Sequence, residues 1–182
     1  MLLPAPNMIE PSLSKKKEDF PLVYLMNSSD SDKISPKLFC LRFQGKDMGC
    51  SPKKCTAVKL NKFGLLRLIP KITGKLNKGV LLNPFAQNEL SIKDRHLVVK
   101  YGLIVIDCSW KKILKFKGFN AINSRKLPPL IAANPINYGK WEKLSSMEAL
   151  AAALFITGFN DFAMVLLSKF SWGMQFKELN QL

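Results

Sequence analysis

The chain has 182 residues, of which 47% are hydrophobic, and a formal net charge of +15. This hydrophobic content excludes general disorder, and the length suits one domain or two small domains that pack together. No apolar run approaches the length of a membrane span, and the N-terminus lacks the pattern of a signal peptide. We therefore expect a soluble protein of the cytoplasm, or of the nucleus as well in a eukaryote, without a membrane partner.

The first part of the chain predicts a tail followed by short strands and a helix. Residues 1–20 contain three Pro and a Lys triplet without hydrophobic periodicity, which indicates a flexible tail. Leu22–Met26 and Leu38–Phe43 are apolar runs of strand length. Thr56–Leu66 has apolar residues at helical spacing, and Gly79–Leu82 is a further short strand.

The clearest central strand is Leu103–Cys108, with the sequence LIVIDC. Its apolar residues do not alternate with polar ones, as is typical of parallel strands buried on both faces. A short helix is predicted at Lys111–Phe116, and Leu130–Ala133 is another buried strand. Strands separated by helical segments favour an α/β fold with a parallel sheet.

The last third of the chain predicts helices. Ser145 and Glu148 have the spacing of a capping box, in which each side chain accepts a hydrogen bond from the backbone of the other residue. This helix should run to about Thr157, with Gly158 as its C-cap. Two more helices are predicted, at Asp161–Phe170 and Trp172–Leu179. We therefore expect an α/β domain over residues 21–129 and an all-helical domain over residues 130–182.

Two motifs follow predicted strands and are candidates for a ligand site. Asp107 and Trp110 lie at the carboxyl end of the central strand, where ligands bind in open α/β sheets. Alternatively, Asp107 caps the next helix and Trp110 belongs to the core. Thr56 begins a helix and could offer its hydroxyl and free N–H groups to an anion, or it could be an ordinary cap. Asp94 in the sequence LSIKD is most simply a turn residue.

The chain does not have the residues of a zinc site. It has four Cys without a C-x-x-C pair, and His96 is its single His. Cys40 and Cys108 fall in strand-like runs and are expected to be small buried hydrophobic residues. We therefore expect reduced thiols and no bound metal.

The positive charge is concentrated in the segment from Lys53 to Lys126. That segment has 17 Lys and Arg against three acidic residues, a net charge of +14. A block this basic within a folded segment favours a polyanion such as a nucleic acid as partner, although Lys residues also serve general solubility. The chain has 24 Lys and four Arg, which favours contacts to phosphates over readout of base edges.

Taken together, the motifs resemble the S-adenosylmethionine-dependent aminocarboxypropyltransferases that modify small-subunit ribosomal RNA. The resemblance is carried by PKKCT at Pro52–Thr56, LSIKD at Leu90–Asp94, IDCSW at Ile106–Trp110, LPPLIAANPINYG at Leu127–Gly139 and KLSSMEALAAAL at Lys143–Leu154. It covers the chain from about Leu22 onward.

The resemblance implies a fold, a reaction and a partner. The fold would be that of the SPOUT knotted RNA methyltransferases, with a parallel-sheet N-terminal domain, a helical C-terminal domain and a deep trefoil knot. The reaction would transfer the 3-amino-3-carboxypropyl group of S-adenosylmethionine to N3 of an N1-methylated pseudouridine. The partner would be small-subunit rRNA in a pre-ribosomal particle, bound by a monomer.

The resemblance also assigns roles to residues of this chain. Thr56 would meet the methionine carboxylate, Trp110 would pack near the methyl group, and Asp107 would contact the cofactor and act as the base or orient the acceptor. The backbone that would hold adenosine is that of Ile106, Leu130, Ser145, Ser146 and Ala149. From the basic segment described above, the residues expected to bind RNA are Lys53, Lys54, Lys59, Lys62, Lys111, Lys112, Lys115, Lys117 and Arg125.

Two other functions fit the sequence less closely. A knotted RNA methyltransferase would use the same cofactor but release S-adenosylhomocysteine instead of methylthioadenosine. A non-catalytic rRNA-binding assembly factor would need the basic charge but no cofactor site. Cofactor binding and the identity of the released product therefore distinguish the three functions.

Overall fold

The structure, a computed structural model, describes residues 35–42, 55–108, 110 and 122–182. These residues lie within one compact unit, Ser31–Leu182. Three predicted elements lie outside the described residues, namely the tail at residues 1–20, the strand at Leu22–Met26 and the helix at Lys111–Phe116.

The described strands form one parallel sheet in the spatial order β2-β1-β4-β3-β5. Their bounds are β1 Leu38–Arg42, β2 Arg67–Ile69, β3 Val80–Leu82, β4 Leu103–Asp107 and β5 Asn123–Arg125. The predicted α/β class with a parallel sheet is thus confirmed. β4 is the middle strand, pairing with β1 on one side and β3 on the other, and all five of its residues are buried.

Both faces of the sheet are covered by hydrophobic residues. Alternate residues of a strand point to opposite faces, so Leu103 and Val105 join a large cluster while Ile104 and Ile106 join a smaller one. The large cluster contains residues of the helices as well. The absence of alternation in the sequence of β4 therefore reflects burial on both sides.

Five α-helices accompany the sheet in the described part of the chain. They are α1 Thr56–Lys62, α2 Arg95–Tyr101, α3 Ser146–Ile156, α4 Asn160–Ser168 and α5 Gly173–Asn180, with 3-10 turns at Gly74–Lys78 and Ile92–Asp94. α1 is shorter than predicted, because Gly64 takes a left-handed conformation with φ 70° just after it and the chain enters β2 at Arg67. None of these helices has the length and apolar character required to cross a membrane.

The predicted start and end of α3 are confirmed. The Ser145 hydroxyl accepts a hydrogen bond from the Glu148 N–H, and the Glu148 carboxylate accepts one from the Ser145 N–H. Gly158 follows the helix with φ 76°, the left-handed conformation expected of a helix end. Residues before and after position 130 share the large hydrophobic cluster. The division into domains at residues 129 and 130 stays a prediction.

The strand predicted at Leu130–Ala133 is wrong. In the structure this segment begins an irregular loop, and only Ile131 makes an isolated antiparallel bridge, to Trp141. The apolar residues Leu130, Ala132 and Ala133 are nevertheless buried. The fifth strand is instead β5, a polar segment that no hydrophobic pattern marks. Burial and strand pairing are thus separate properties in this part of the chain.

Candidate functional site

The carboxyl ends of β1 and β4 form the natural position for a ligand site. The two strands are neighbours, but the chain leaves β1 toward β2 on one side and returns from β4 to β5 on the other. Such a reversal opens a crevice at the carboxyl edge of a parallel sheet. Arg42 and Asp107 end the two strands in register, and the Arg42 Nε lies 3.6 Å from a carboxylate oxygen of Asp107.

Asp107 is buried at this edge, with 4% of its surface exposed. The Cys55 thiol, just before α1, donates a hydrogen bond of 3.3 Å to its carboxylate. The structure therefore places Asp107 between β1 and the start of α1, where an ion pair with Arg42 and a hydrogen bond from Cys55 orient its carboxylate. This arrangement suits a group that positions others as well as one that accepts a proton.

The thiols near Asp107 are kept protonated by their surroundings. Burial, followed by the charge of Asp107, raises the pKa of Cys108 to about 11, and burial raises the pKa of Cys40 still further above its usual range. Cys40 and Cys108 are both free of disulfides. Their neutral thiols make these two residues packing groups instead of nucleophiles.

Hydrogen bonds connect the other predicted cofactor residues to the same edge. The Thr56 hydroxyl accepts a bond of 3.3 Å from the Met147 N–H in the first turn of α3. The Trp110 Nε1 donates a bond of 3.1 Å to the Leu144 carbonyl, just before the Ser145 cap. Thr56, Trp110 and the start of α3, which includes Ser146 and Ala149, thus lie around one place.

Two of the residues predicted to hold the cofactor, Leu130 and Ile106, have apolar side chains. Leu130 is buried, and its carbonyl accepts a bond of 2.8 Å from the Glu142 N–H. Ile106 lies in β4 with its side chain in the smaller hydrophobic cluster, away from α3. Neither side chain is polar, so a ligand would meet their main-chain groups.

The side chain of Glu148 does more than cap α3. It is fully buried, and its two carboxylate oxygens accept four hydrogen bonds of 2.6–2.9 Å. The donors are the N–H groups of Ala133, Asn134 and Ser145 and the side-chain amide of Asn134. A fully buried carboxylate needs such donors to offset its lost hydration. Glu148 therefore fixes the loop at residues 131–144 to the start of α3.

Asn180 holds the same loop from the other side. Its side-chain oxygen accepts a bond of 2.7 Å from the Ile131 N–H, and its amide donates one of 2.9 Å to the Ile131 carbonyl. Within the loop, Asn134 accepts a bond of 3.0 Å from the Asn137 N–H. Because these bonds come from α3, α5 and the loop itself, the loop is fixed at several points.

The residues predicted to bind RNA are only partly described. Lys59 and Lys62 are exposed in the last turn of α1. Arg125, by contrast, forms an ion pair with buried Asp94, with two guanidinium nitrogens 2.9–3.0 Å from one carboxylate oxygen. Its guanidinium thus joins β5 to the start of α2. The remaining members lie outside the described residues, namely Lys53, Lys54, Lys111, Lys112, Lys115 and Lys117.

Sequence reasoning missed several residues that shape the site. Arg42 could have been found, because it lies near the end of the predicted strand Leu38–Phe43 and would come beside Asp107 once the strands are paired. Glu148 and Asn180 gave no local signal of their role, since their partners lie 14 and 49 residues away. Among the residues that the structure describes, His, Cys, Asp and Glu do not form a group of three or more that could hold a metal ion.

Comparison with known proteins decides the family. The model of the family described as "Ribosome biogenesis protein, C-terminal" matches residues 80–182. The 16S rRNA aminocarboxypropyltransferase of Methanocaldococcus jannaschii is 43% identical over 80% of this chain and 83% of its own. The enzyme of the same name from Thermoplasma volcanium is 50% identical over 71% of this chain and 78% of its own. The chain belongs to the rRNA aminocarboxypropyltransferase family.

The fold of this chain is also similar to that of a solved member of the family. The SAM-dependent rRNA acp-transferase Tsr3 from Vulcanisaeta distributa superposes with a TM-score of 0.71 at 40% identity, over 80% of this chain and 79% of that one. The family resemblance inferred from the sequence motifs is thus confirmed. The family model spans β3 to α5 and therefore includes Asp107, Trp110 and Glu148.

Proposed function

We propose that this chain transfers the 3-amino-3-carboxypropyl group of S-adenosylmethionine to N3 of an N1-methylated pseudouridine in small-subunit rRNA. The reaction forms a bond from N3 to the terminal carbon of that group and breaks the carbon–sulfur bond. It releases methylthioadenosine and the N3 proton. The observation that carries this proposal is similarity over about four fifths of the chain to relatives named for this activity.

The residues at the edge of β1 and β4 fit S-adenosylmethionine. The Thr56 hydroxyl and the backbone N–H groups in the first turn of α1 suit a carboxylate. Trp110 offers an aromatic surface, and the backbone near Leu130, Ser145, Ser146 and Ala149 offers the hydrogen-bonding groups that an adenosine requires. When bound, the cofactor supplies a carbon activated by its sulfonium. The chain's part is to orient that carbon toward the acceptor and to keep the methyl carbon away from it.

Asp107 is the acidic group that we assign to the acceptor side of the site. Its burial and its partners Arg42 and Cys55 favour a role in orienting the acceptor base, and a role in receiving the N3 proton is the alternative. The exposed Lys residues of α1, together with those from Lys111 to Lys117, would hold the RNA backbone.

We propose further that the chain forms a deep trefoil knot like that of the SPOUT methyltransferases, with its N-terminal and C-terminal domains divided near residue 130. The parallel sheet followed by three helices supports this proposal, since both belong to that fold. We also propose that the protein acts as a monomer in the cytoplasm, or in the nucleus of a eukaryote. Light scattering of the purified protein at working concentration tests the monomer.

Isotope transfer tests the reaction. The protein is incubated with hypomodified small-subunit RNA and S-adenosylmethionine that is labelled either in the aminocarboxypropyl carbons or in the methyl carbon. We expect only the first label to enter the RNA, together with release of methylthioadenosine. Transfer of the methyl label alone would make the chain a methyltransferase. If neither label moves and calorimetry detects no cofactor binding, the chain is a non-catalytic binding protein.

A further inference from the structure

The loop at residues 131–144 carries three large hydrophobic side chains in contact with solvent. Ile136 is 68% exposed, Tyr138 55% and Trp141 60%, all within six positions. They form the densest group of exposed large hydrophobic residues in the described part of the chain. Large hydrophobic residues exposed on one short loop are candidates for a binding surface. We call Ile136, Tyr138 and Trp141 the loop patch.

The exposure of the loop patch is built into the fold. The loop carrying it is fixed by the fully buried carboxylate of Glu148 and by the amide of Asn180. Backbone bonds from Gly139 to Ala132 and from Ala132 to Lys140 close it further. Rings on a fixed backbone lose little entropy on binding, which makes them efficient contact groups.

The loop patch adjoins the proposed cofactor site. Its loop begins after Leu130 and ends before Ser145, both of which belong to that site. The Glu142 N–H donates to the Leu130 carbonyl, and Trp110 donates to the Leu144 carbonyl. Trp141, which precedes Glu142, therefore lies in the part of the loop that leads into the proposed cofactor site.

The charge of the chain indicates which partner suits the loop patch. Lys140 and Lys143 are exposed on the same loop, and the whole chain carries a net charge of +15. An apolar protein surface would gain nothing from this charge. An unpaired stretch of RNA offers flat bases for the rings and phosphates for the Lys side chains.

We propose that Trp141 and Tyr138 stack against unpaired bases that flank the target nucleotide, and that Lys140 and Lys143 contact the phosphates between them. This inference rests on the proposed function, because it assumes an RNA substrate. In this proposal, the loop binds single-stranded RNA in preference to duplex RNA. Stacking on aromatic rings tolerates any base, so the loop patch would recognise an open RNA segment and not a sequence.

Substitutions that separate stacking from hydrophobic contact provide the test. Trp141→Leu keeps an apolar side chain but removes the ring, whereas Trp141→Phe keeps a ring. The antiparallel bridge of Trp141 to Ile131 uses backbone atoms and is available to both variants. Ile92→Ala is the matched control: Ile92 is 58% exposed and lies against Gly158, beyond the far end of α3.

Binding is measured by fluorescence anisotropy with the full chain, a labelled single-stranded oligoribonucleotide and the same strand annealed to its complement. We expect Trp141→Leu to weaken single-strand binding by about 5- to 150-fold, the range for loss of one stacked base. Trp141→Phe and Ile92→Ala should stay close to the unchanged protein. Affinity for the duplex and for S-adenosylmethionine should not change in any variant.

Equal losses in Trp141→Leu and Trp141→Phe would overturn stacking as the mechanism. Full RNA affinity in Trp141→Leu would overturn the proposal and favour a protein as the partner of the loop patch. The labelled-cofactor transfer assay separates this inference from the proposed function. A protein that transfers the aminocarboxypropyl group while Trp141→Leu binds RNA normally refutes the loop patch alone. A protein that neither binds S-adenosylmethionine nor transfers any label refutes the proposed function.

Discussion

Glu148 shows how one side chain can organise a site without lining it. Its carboxylate is fully buried and receives hydrogen bonds from both the loop and the cap of α3. Each of these hydrogen bonds adds only modestly to the stability of the fold. Leaving one of the buried donors without its acceptor would cost more, because that donor has lost its contact with water. Residues of this kind bear on function through the backbone that they hold in place.

Glu148→Gln should therefore destabilise the protein. The new amide nitrogen would face the Asn134 amide or the Ser145 N–H, so donors would meet donors. We expect the free energy of unfolding to fall by about 2–4 kcal/mol, as when one partner of a buried charged network is lost. Chemical denaturation measures this change. The control is Glu178→Gln, at an exposed position of α5, and a loss no larger than that of the control would contradict the role of Glu148.

Trp110 combines an aromatic surface with a hydrogen bond to Leu144. Trp110→Ala should weaken binding of S-adenosylmethionine by about 1–3 kcal/mol, the range for a buried aromatic contact. Trp110→Phe keeps a ring but lacks the N–H, so it separates ring packing from the positioning of Leu144. Calorimetry measures both affinities. An unchanged affinity in folded Trp110→Ala would make Trp110 a packing residue.

Asp107→Asn should slow transfer by about 10- to 1000-fold, the general acid–base range and just below it. Solvent can still accept the N3 proton, so activity should not vanish, and cofactor affinity should change less than the rate. The pH dependence of single-turnover transfer distinguishes the two roles. An acid limb that disappears in the variant indicates a base, and a uniformly lowered profile indicates positioning. Full activity in Asp107→Asn would remove this residue from the mechanism.

At the level of elements, the sequence predicts best where burial and backbone conformation agree. β4 is apolar on both faces and is recognisable as a central strand, and α3 has a capping box and a terminal Gly. β5 has the sequence NSR and owes its pairing to β3, which lies about 40 residues earlier. The run Leu130–Ala133 is apolar because most of its side chains are buried in the core. Backbone groups of Ile131 and Ala133, which would pair with another strand in a sheet, instead bond to the side chains of Asn180 and Glu148.

The residues of the candidate site also differ in how far the sequence predicts them. Thr56, Asp107 and Trp110 could be predicted because they follow recognisable elements or motifs. The bonds from Glu148 to the loop and from Asn180 to Ile131 could not be predicted, because they join distant parts of the chain. Arg125 was assigned to RNA from its charge, and its buried partner Asp94 became visible only once β5 lay beside α2.

Asn180→Ala tests the link between α5 and the loop. The variant loses both bonds to Ile131 and one within α5. We expect hydrogen exchange of the Ile131 amide to quicken at least tenfold, or about 1.4 kcal/mol of local stability. Gln175→Ala is the control, because it removes only an exposed bond to the Tyr138 hydroxyl. Unchanged protection at Ile131 would contradict the role of Asn180 in holding the loop.

At the scale of the whole molecule, the dominant property is a formal net charge of +15. The logarithm of the RNA affinity should fall linearly with the logarithm of the salt concentration, because binding releases counterions. Reversing Lys111, Lys112, Lys115 and Lys117 to Glu should weaken RNA binding and make the salt slope shallower by about 3, at about 0.7 per phosphate contact on a single strand. Anisotropy titrations over a range of salt measure both. Reversal at exposed Lys71, Lys75, Lys78 and Lys100 matches the change in net charge, and equal effects of the two variants would mean that the charge acts without a defined face.

The bonds between Asn180 and Ile131 also set an order of events during synthesis of the protein. The sheet can form once β5 has left the ribosome, but the loop at residues 131–144 lacks its two bonds to Asn180 until residue 180 has followed. A nascent chain would thus carry a folded sheet and an unfinished catalytic surface. The loop would therefore reach its final conformation only after residue 180 has emerged from the ribosome.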